Sequence, residues 1–225
     1  NIEKIIRATF SQTKCFDILI VDDSSPDGTA DIVKDLQEEH PKSLFLEIRK
    51  KKDGLGRAYI HGFKWAIKKK YDYIIEMDAD FSHHPNDLIK LYNACHIEGA
   101  DLSIGSRYID GVNVVNWPMG RILLSYCASI YVRVITRMKI RDTTAGFVCY
   151  KRNVLETIDL DAIKFVGYAF QIEMKFKAYL KHFKIVEVPV IFTDRTKGKS
   201  KMSGGIISEA IFGVLKMKFK SLFSK

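Results

Sequence analysis

The sequence predicts an open α/β sheet in which most strands run parallel. Strand-like and helix-like segments alternate through the first half of the chain, and acidic clusters that begin at Asp22 and Asp78 follow directly on apolar runs. Such alternation produces parallel strands joined by crossover helices, and ligands of these sheets bind at the carboxyl ends of the strands. The 225 residues suit one hydrophobic core, so we expect a single domain over residues 1–225.

Hydrophobic periodicity assigns the elements of the first half. Apolar residues three and four positions apart indicate helices, and short β-branched runs indicate strands. In order, the predicted elements are a helix that begins at or before Asn1, a strand at 16–21, a helix at 27–40, a strand at 44–48, a helix at 55–70, a strand at 73–77, a helix at 85–98 and a strand at 101–105. Because the chain opens within a helical pattern, we expect a segment before Asn1 to be missing.

The second half is less regular. Periodicity predicts helices at 121–137, 168–182 and 206–223, an extended segment at 146–150 and a strand at 184–192. Pro189 lacks the backbone N–H that a central strand needs, so the last strand is expected at an edge or a bulge.

Positive charge is concentrated near the end of the sequence. The chain carries a net charge of +9, and residues 195–225 account for +7 of it, with eight Lys and Arg against Glu209. A basic tail on a near-neutral body predicts an anionic partner: a nucleic acid, an anionic membrane surface or a phosphorylated substrate.

The cysteines and the longest apolar run exclude other classes. Cys15, Cys95, Cys127 and Cys149 have no C-x-x-C spacing, which favours a reducing compartment over a zinc site or a disulfide framework. The longest apolar run, at 122–132, is about half of the ~20 residues that a membrane span needs.

Two acidic strand ends and one basic loop carry the candidate chemistry. Asp78-Ala79-Asp80 offers hard oxygen ligands that suit Mg²⁺ or Mn²⁺ held together with substrate phosphates, although a single D-x-D is also typical of a solvated turn. Asp22 and Asp23 could accept hydrogen bonds from a base or a ribose, whereas the following serines could simply cap a helix. Residues 49–56 join a basic run to a glycine-containing helix start, as a phosphate-binding loop does, but a solvated charge run explains them equally well.

Seven ordered motifs together resemble glycosyltransferase family two, and within it the polyprenol-phosphate (dolichol-phosphate) mannosyltransferases. They are Val21-Asp22-Asp23-Ser24-Ser25-Pro26-Asp27-Gly28-Thr29; Gly54-Leu55-Gly56 with Gly62-Phe63; Met77-Asp78-Ala79-Asp80-Phe81-Ser82-His83-His84-Pro85; Gly105-Ser106-Arg107-Tyr108; Asn116-Trp117-Pro118 with Arg121 and Ser125; Asp142-Thr143-Thr144-Ala145-Gly146-Phe147; and Arg195 with Gly198-Lys199-Ser200-Lys201.

The resemblance implies a fold and a reaction. The fold is GT-A, a Rossmann-like and mostly parallel open sheet flanked by helices. The reaction is the inverting transfer of mannose from GDP-mannose to a polyprenyl (dolichyl-type) phosphate, giving polyprenyl-phosphate mannose, with Mg²⁺ or Mn²⁺ as cofactor. Family members begin with a strand that helps bind the base, and we expect that strand to be the missing segment before Asn1.

The resemblance also implies the site residues. The catalytic residues are Asp80, Arg107 and Arg121; the donor contacts are Asp22, Asp23, Asp78, Ala79, Arg195 and Lys201; the acceptor-phosphate contacts are Arg107, Arg121 and Ser125; and the metal ligands are Asp78 and Asp80. A divalent ion neutralises the charge that grows on the leaving diphosphate. The acceptor phosphate is largely doubly ionised near neutral pH, so a dedicated general base is not required.

A lipid acceptor implies contact with a membrane. The helices at 121–137 and 206–223 combine apolar residues with basic ones, the pattern of interfacial helices on anionic lipid, although packing onto the sheet explains the pattern equally well. We expect a peripheral enzyme at the cytoplasmic face of a membrane, or one that needs a membrane partner subunit.

Three other functions fit parts of the sequence. The same reaction with UDP-glucose or another nucleotide sugar is the nearest alternative. A basic nucleic-acid-binding domain is a distant one, because two acidic clusters would repel phosphate unless a metal intervened, and we expect no nucleic-acid partner. A membrane-bound scaffold without catalysis would not need the Asp and Arg set.

Overall fold

Helices and strands alternate through the first half of the chain, as predicted. The computed structural model describes residues 1–14, 16–167, 169–194 and 204–223. The helices are α1 (Ile2–Phe10), α2 (Thr29–Glu39), α3 (Leu55–Lys68), α4 (Leu88–His96), α5 (Met119–Thr136), α6 (Arg152–Thr157), α7 (Ala169–Leu180) and α8 (Gly204–Phe223). The strands are β1 (Ile18–Asp22), β2 (Leu44–Ile48), β3 (Tyr73–Glu76), β4 (Leu102–Ser106), β5 (Val114–Val115), β6 (Val148–Lys151), β7 (Ile185–Pro189) and β8 (Phe192–Thr193).

The described strands form three sheets. β1 pairs with β2 in parallel, and β5 pairs with β8 in parallel. The central sheet has the order β3-β6-β4-β7, in which β4 and β7 are parallel and β6 runs antiparallel to both of its neighbours. The sheet is therefore mixed, with β6 as the antiparallel strand that periodicity alone could not orient.

Several element boundaries differ from the sequence prediction for identifiable reasons. The segment predicted as one helix at 85–98 starts as a 3₁₀ turn, Pro85–Asp87, before α4 begins. The strand predicted at 184–192 is divided into β7 and β8 directly after Pro189, the last residue of β7. β7 lies at the edge of its sheet, which confirms the position expected for a strand containing proline. The short elements β5 and α6 were not predicted.

A cleft separates β1 from β3. The two strands belong to different sheets, and between them lies a cavity of about 330 Å³ lined by residues that include Ile20, Val21, Ile75 and Met77. The same cavity reaches Asp78 and Ala79. The carboxyl end of β3 therefore opens directly into the cleft.

The main core lies between the central sheet and helices α3 and α7. Phe63 of α3, Tyr150 of β6 and Phe170 of α7 meet there, with ring centroids 5.3 Å apart for Phe63 and Tyr150 and 6.4 Å apart for Phe63 and Phe170. From Ala169 to Phe176 every residue of α7 is buried, including Gln171, Glu173 and Lys175. A helix buried on all sides carries its polar residues into the protein interior, where each needs a partner.

Candidate active site

The second acidic cluster lies on a turn directly after β3. Tyr59 of α3 donates its hydroxyl to Asp78 Oδ1 at 2.8 Å, and the backbone N–H of Ser82 donates to Asp80 Oδ1 at 3.0 Å. Phe81 has φ of 62°, a left-handed conformation that turns the chain sharply after Asp80. Both carboxylates are half-buried and Ala79 is exposed, so the turn presents them at the rim of the cleft.

The donor set of this turn fits a divalent cation that shares its ligands with a substrate. Two carboxylates on one turn are hard oxygen donors, and Mg²⁺ is commonly bound by one or two carboxylates together with substrate phosphates. In the part of the chain that the structure describes, no group of three or more His, Cys, Asp or Glu side chains could hold a metal ion. Phosphate and water commonly complete the coordination of Mg²⁺ held by two carboxylates.

A buried carboxyl group and a buried amine, those of Glu76 and Lys175, lie behind the acidic turn. Glu76 accepts the Tyr150 hydroxyl at 3.1 Å, and burial raises the pKa of Glu76 to about 8 against the opposing effect of Lys175. Burial also lowers the pKa of Lys175 to about 8. Lys175 donates its ammonium to the carbonyl oxygens of Ala145 and Gln171, which fixes the segment around Ala145 to α7.

The acidic end of β1 is held by the basic loop that follows β2. Asp22 is buried and its Oδ2 accepts the backbone N–H of Ser25 at 2.9 Å, while Asp23 lies 3.3 Å from the guanidinium of Arg49. Ser24 donates its hydroxyl to the carbonyl of Arg49 at 2.7 Å. Neither serine caps α2, whose N-cap is Gly28, so the capping interpretation of these serines was wrong.

The glycines at the start of α3 are explained by close packing. A Cβ on Gly56 would lie 2.8 Å from the carbonyl oxygen of Phe165 and 2.8 Å from the ring of Phe170. A Cβ on Gly54 would lie 2.8 Å from the carbonyl oxygen of Val166. The two glycines therefore let α3 begin directly against Phe165, Val166 and Phe170.

Two arginines meet at one tryptophan. Arg107 follows β4 and Arg121 lies in the first turns of α5. The guanidinium carbons lie 5.4 Å and 4.0 Å, respectively, from the centre of the Trp117 ring. Cation–π attraction of this kind is worth about 0.5–2 kcal/mol for each cation. The structure thus brings together Arg107 and Arg121, the residues expected to bind the acceptor phosphate.

The two arginines have different carboxylate partners. Arg107 donates to both carboxylate oxygens of Asp142 at 2.7 Å and to the Thr144 hydroxyl at 2.8 Å. Burial opposes ionisation of Asp142, but Arg107 outweighs it and holds the pKa of that carboxyl below its usual range. Arg121 donates from Nη1 to Asp194 Oδ1 at 2.8 Å.

Ser125 lies one helical turn after Arg121. It lies near Tyr108, whose ring centre is 5.2 Å from the Arg107 guanidinium. Burial raises the pKa of the Tyr108 hydroxyl, and the charge of Arg107 and the Ser125 side chain oppose that rise. Tyr108 and Ser125 therefore border the two-arginine cluster.

His83 connects the acidic turn to the arginine cluster. Its buried ring lies 4.9 Å from the Phe147 ring and 5.1 Å from the Phe192 ring. The Phe192 ring in turn lies 5.6 Å from the Arg107 guanidinium and 5.1 Å from the Trp117 ring. Asp80 and the arginines are thus neighbours across one layer of aromatic side chains.

Two expected donor contacts lie outside the described residues. These are Arg195 and Lys201, and the motif at 198–201 lies there as well. Sequence reasoning missed Glu76, Gln171 and Lys175. A signal for the last two was present, because they interrupt an apolar helix that has no polar face.

This α/β fold, with an acidic turn at the carboxyl end of a sheet strand, defines an enzyme of the GT-A glycosyltransferase class. The chain belongs to glycosyl transferase family 2, whose model matches residues 1–159. It is 46% identical over 198 residues to the undecaprenyl-phosphate mannosyltransferase of Micrococcus luteus, covering 88% of this chain and 80% of that protein. It is 47% identical over 197 residues to the polyprenol monophosphomannose synthase of Mycolicibacterium smegmatis, covering 88% of this chain and 74% of that protein.

Solved structures share the fold at low sequence identity. The glucosyl-3-phosphoglycerate synthase of Mycobacterium tuberculosis, in complex with Mn²⁺, UDP and glucosyl-3-phosphoglycerate, superposes with a TM-score of 0.68 at 14% identity, over 96% of this chain and 74% of that one. The mannosyltransferase PcManGT of Pyrobaculum calidifontis, in complex with GDP-Man and Mn²⁺, superposes with a TM-score of 0.60 at 15% identity, over 100% of this chain and 60% of that one. These likenesses confirm the GT-A fold, and the family assignment confirms the resemblance seen in the sequence.

Proposed function

We propose that this chain, as a single GT-A domain over residues 1–225, transfers mannose from GDP-mannose to a polyprenyl phosphate with inversion. The observation that carries the proposal is the meeting of Arg107 and Arg121 at Trp117, one aromatic layer away from the acidic turn that contains Asp80. Two relatives at 46% and 47% identity support the lipid phosphate and the mannose, because their names state those substrates.

The acidic turn is assigned to the donor. Asp78 and Asp80 would hold Mg²⁺ or Mn²⁺, which, when bound, neutralises the negative charge that develops on the leaving diphosphate. Asp22 and Asp23 and the exposed backbone of Ala79 would contact the nucleoside, since they lie at the carboxyl ends of β1 and β3, where ligands of such sheets bind. Arg195 and Lys201 would add cationic contacts to the diphosphate. PcManGT, which shares the fold, is in complex with GDP-Man and Mn²⁺.

The arginine cluster is assigned to the acceptor. Arg107, Arg121 and the hydroxyl of Ser125 would hold the lipid phosphate by charge-assisted hydrogen bonds. A phosphate oxygen then attacks the anomeric carbon from the face opposite the diphosphate, the bond from that carbon to the diphosphate breaks, and the nucleoside diphosphate leaves with the electron pair. No proton has to be removed from the attacking oxygen, because the phosphate dianion already predominates near neutral pH.

The outer surfaces of α5 and α8 are assigned to the membrane. Among the described residues, no helix is sufficiently long and apolar to cross a bilayer. Large apolar side chains are nevertheless exposed on both helices: Leu123, Leu124, Ile130 and Val134 on α5, and Phe212, Leu215, Phe219, Leu222 and Phe223 on α8. We infer peripheral attachment through this surface, called the α5–α8 face below, at the cytoplasmic side of a membrane.

A transfer assay with the purified protein tests the proposal. With Mg²⁺ or Mn²⁺ and undecaprenyl phosphate, mannose from GDP-mannose should appear in the lipid fraction, and UDP-glucose should be a poorer donor. Polyprenol without phosphate should accept nothing, because the arginines would have no anion to bind. A preference for UDP-glucose would overturn the donor assignment, and no transfer from any nucleotide sugar would overturn the function. Activity without an added membrane partner subunit would show that the chain needs none.

Variants of the acidic turn test the donor assignment. Asp80→Ala and Asp80→Asn should each lower kcat by at least about 100-fold, because the charge on the leaving group would lose its stabilisation. Asp31→Asn, which removes an exposed carboxylate of α2, is the matched control and should leave kcat unchanged. An Asp80→Ala enzyme as active as the control would refute the metal role.

A further inference from the structure

The ion pairs of Arg107 and Arg121 differ in how far they are exposed to solvent. The partner of Arg107 is the wholly buried Asp142, which takes two side-chain bonds and a third from the Arg107 backbone N–H at 3.0 Å. The Arg121 and Asp194 side chains are 28% and 26% exposed. Water and anions can therefore reach the Arg121 pair more readily than the Arg107 pair, whose side chains are only 9% and 0% exposed.

Asp194 is held beside Arg121 by its backbone. The Asp194 N–H donates to the carbonyl of Val115 at 3.0 Å, directly after the pairing of β5 with β8. Val115 precedes Trp117 by two residues, and the Trp117 ring lies 4.0 Å from the Arg121 guanidinium. This backbone hydrogen bond of Asp194 thus places its carboxylate beside the arginine cluster.

A carboxylate and a phosphate compete for the same guanidinium. The carboxylate is planar and the phosphate is tetrahedral, but each accepts parallel N–H bonds from arginine. A doubly charged phosphate is the stronger partner of the two. A phosphate that approaches Arg121 therefore meets a cation whose charge is already balanced. When a phosphate binds to Arg121, it therefore replaces another anion.

We propose that Asp194 is the resident counter-ion of Arg121 and that the acceptor phosphate displaces it on binding. The proposal rests on the proposed function, since it takes the lipid phosphate as the incoming anion. Its consequence is selectivity. Inorganic phosphate loses its translational freedom when it replaces a carboxylate that is already part of the chain, so it competes weakly, whereas a polyprenyl phosphate adds the burial of its apolar chain to the same exchange. Asp194 is in this view a specificity-determining residue for the acceptor.

The first test measures binding of inorganic phosphate without any reaction. The chain contains two tryptophans, so Trp65→Phe leaves Trp117 as the only indole, lying 4.0 Å from Arg121. Phosphate is titrated without a divalent cation while Trp117 fluorescence is recorded. Asp194→Asn should tighten phosphate binding about fivefold, because an exposed ion pair is worth up to about 1 kcal/mol. Asp194→Glu should restore the weak binding, and Asp110→Asn, with the same charge change at an exposed site, should leave it unchanged.

The second test uses turnover. In Asp194→Asn the KM for undecaprenyl phosphate and the inhibition constant of inorganic phosphate should both fall, the latter more strongly, so that phosphate becomes an effective inhibitor. If Asp194 instead orients Arg121, both constants rise and the proposal is overturned. Unchanged constants, or an equal effect of Asp110→Asn, overturn it as well. If the wild-type protein transfers no sugar, the proposed function is wrong. The fluorescence titration still decides whether Asp194 competes with anions for Arg121.

Discussion

At the residue scale, His83 is a side chain whose protonation is strongly changed by its surroundings. It lies between the rings of Phe147 and Phe192, and burial together with the charge of Arg107 lowers the pKa of His83 to about 4. An unfolded histidine titrates near pH 6.5. Between these two values the unfolded chain binds a proton that the folded chain excludes, so the folded state is favoured above about pH 6.5 and loses stability as the pH falls towards about 4.

This linkage predicts a pH-dependent difference between two proteins. The slope is at most about 1.4 kcal/mol per pH unit. His83→Leu, which cannot titrate, should therefore gain about 2 kcal/mol relative to wild type when the pH is lowered from 7.5 to 5. Urea unfolding at both pH values measures the change. His96→Gln, at an exposed histidine, serves as the control and should show a smaller difference; an equal difference would contradict the assignment to His83.

The residues of the site were predictable to different degrees. Asp80, Arg107 and Arg121 were predicted as site residues because their motifs resemble a family, and the structure gathers the two arginines at Trp117. Their carboxylate partners were not identified, because Asp142 is 35 residues from Arg107 and Asp194 is 73 residues from Arg121. Pairs so distant in sequence depend on tertiary packing, which no local pattern encodes. The buried Glu76 and Lys175 were missed for the same reason.

At the element scale, α3 shows how glycines, which have no Cβ, allow a helix to pack closely. Gly56 lies against the Phe165 carbonyl and the Phe170 ring, where a Cβ would come within 2.8 Å of each. A Cβ on Gly62, six residues later on the same helix, would lie 3.5 Å from Val21 and 3.7 Å from Leu19, which are ordinary contact distances. The two positions therefore respond to the same substitution in opposite ways.

Alanine substitutions at these glycines should separate packing from helix propensity. Gly56→Ala should destabilise the fold by about 1–3 kcal/mol, because the start of α3 has to move away from Phe165 and Phe170. Gly62→Ala should be neutral or stabilise by up to about 1 kcal/mol, since alanine is the better helix former. The midpoints of urea unfolding measure both effects. Similar midpoints for the two variants would show that the approach at Gly56 is looser than the structure indicates.

The accuracy of the element predictions follows the strength of the local pattern. The strand β2 was predicted with its observed bounds, and α3 with its observed start, because β2 is a short apolar run and the 14 residues of α3 repeat their apolar positions over several turns. β5 has two residues and α6 has six, too few for a period to register. The antiparallel direction of β6 depends on the pairing of residues distant in sequence, such as Ile104 with Val148.

At the scale of the whole molecule, Lys216 and Lys220 are exposed on α8 among the apolar residues of the α5–α8 face. The Tyr131 hydroxyl of α5 donates to the Ile211 carbonyl of α8 at 2.9 Å, and Val214 is buried. The two helices are therefore joined along one side while Phe212 and Phe219 remain 72% and 65% exposed. An apolar surface interspersed with lysines is typical of proteins that bind anionic lipid.

The α5–α8 face should bind vesicles by two separable contributions. Phe219→Ser should lower partitioning onto both neutral and anionic vesicles by about tenfold, because burial of one phenylalanine is worth about 1.5–3 kcal/mol and is only partial at an interface. Lys216→Gln should lower binding to anionic vesicles by about fivefold, since a lysine near such a surface contributes about 1 kcal/mol, and this effect should vanish at high salt. Co-sedimentation with phosphatidylcholine vesicles, with and without phosphatidylglycerol, measures both.

Ile97→Ser, at a residue that is 71% exposed beyond the end of α4, is the matched control. Equal losses for Ile97→Ser and Phe219→Ser would mean that no particular surface faces the lipid, and the membrane assignment of the two helices would be wrong.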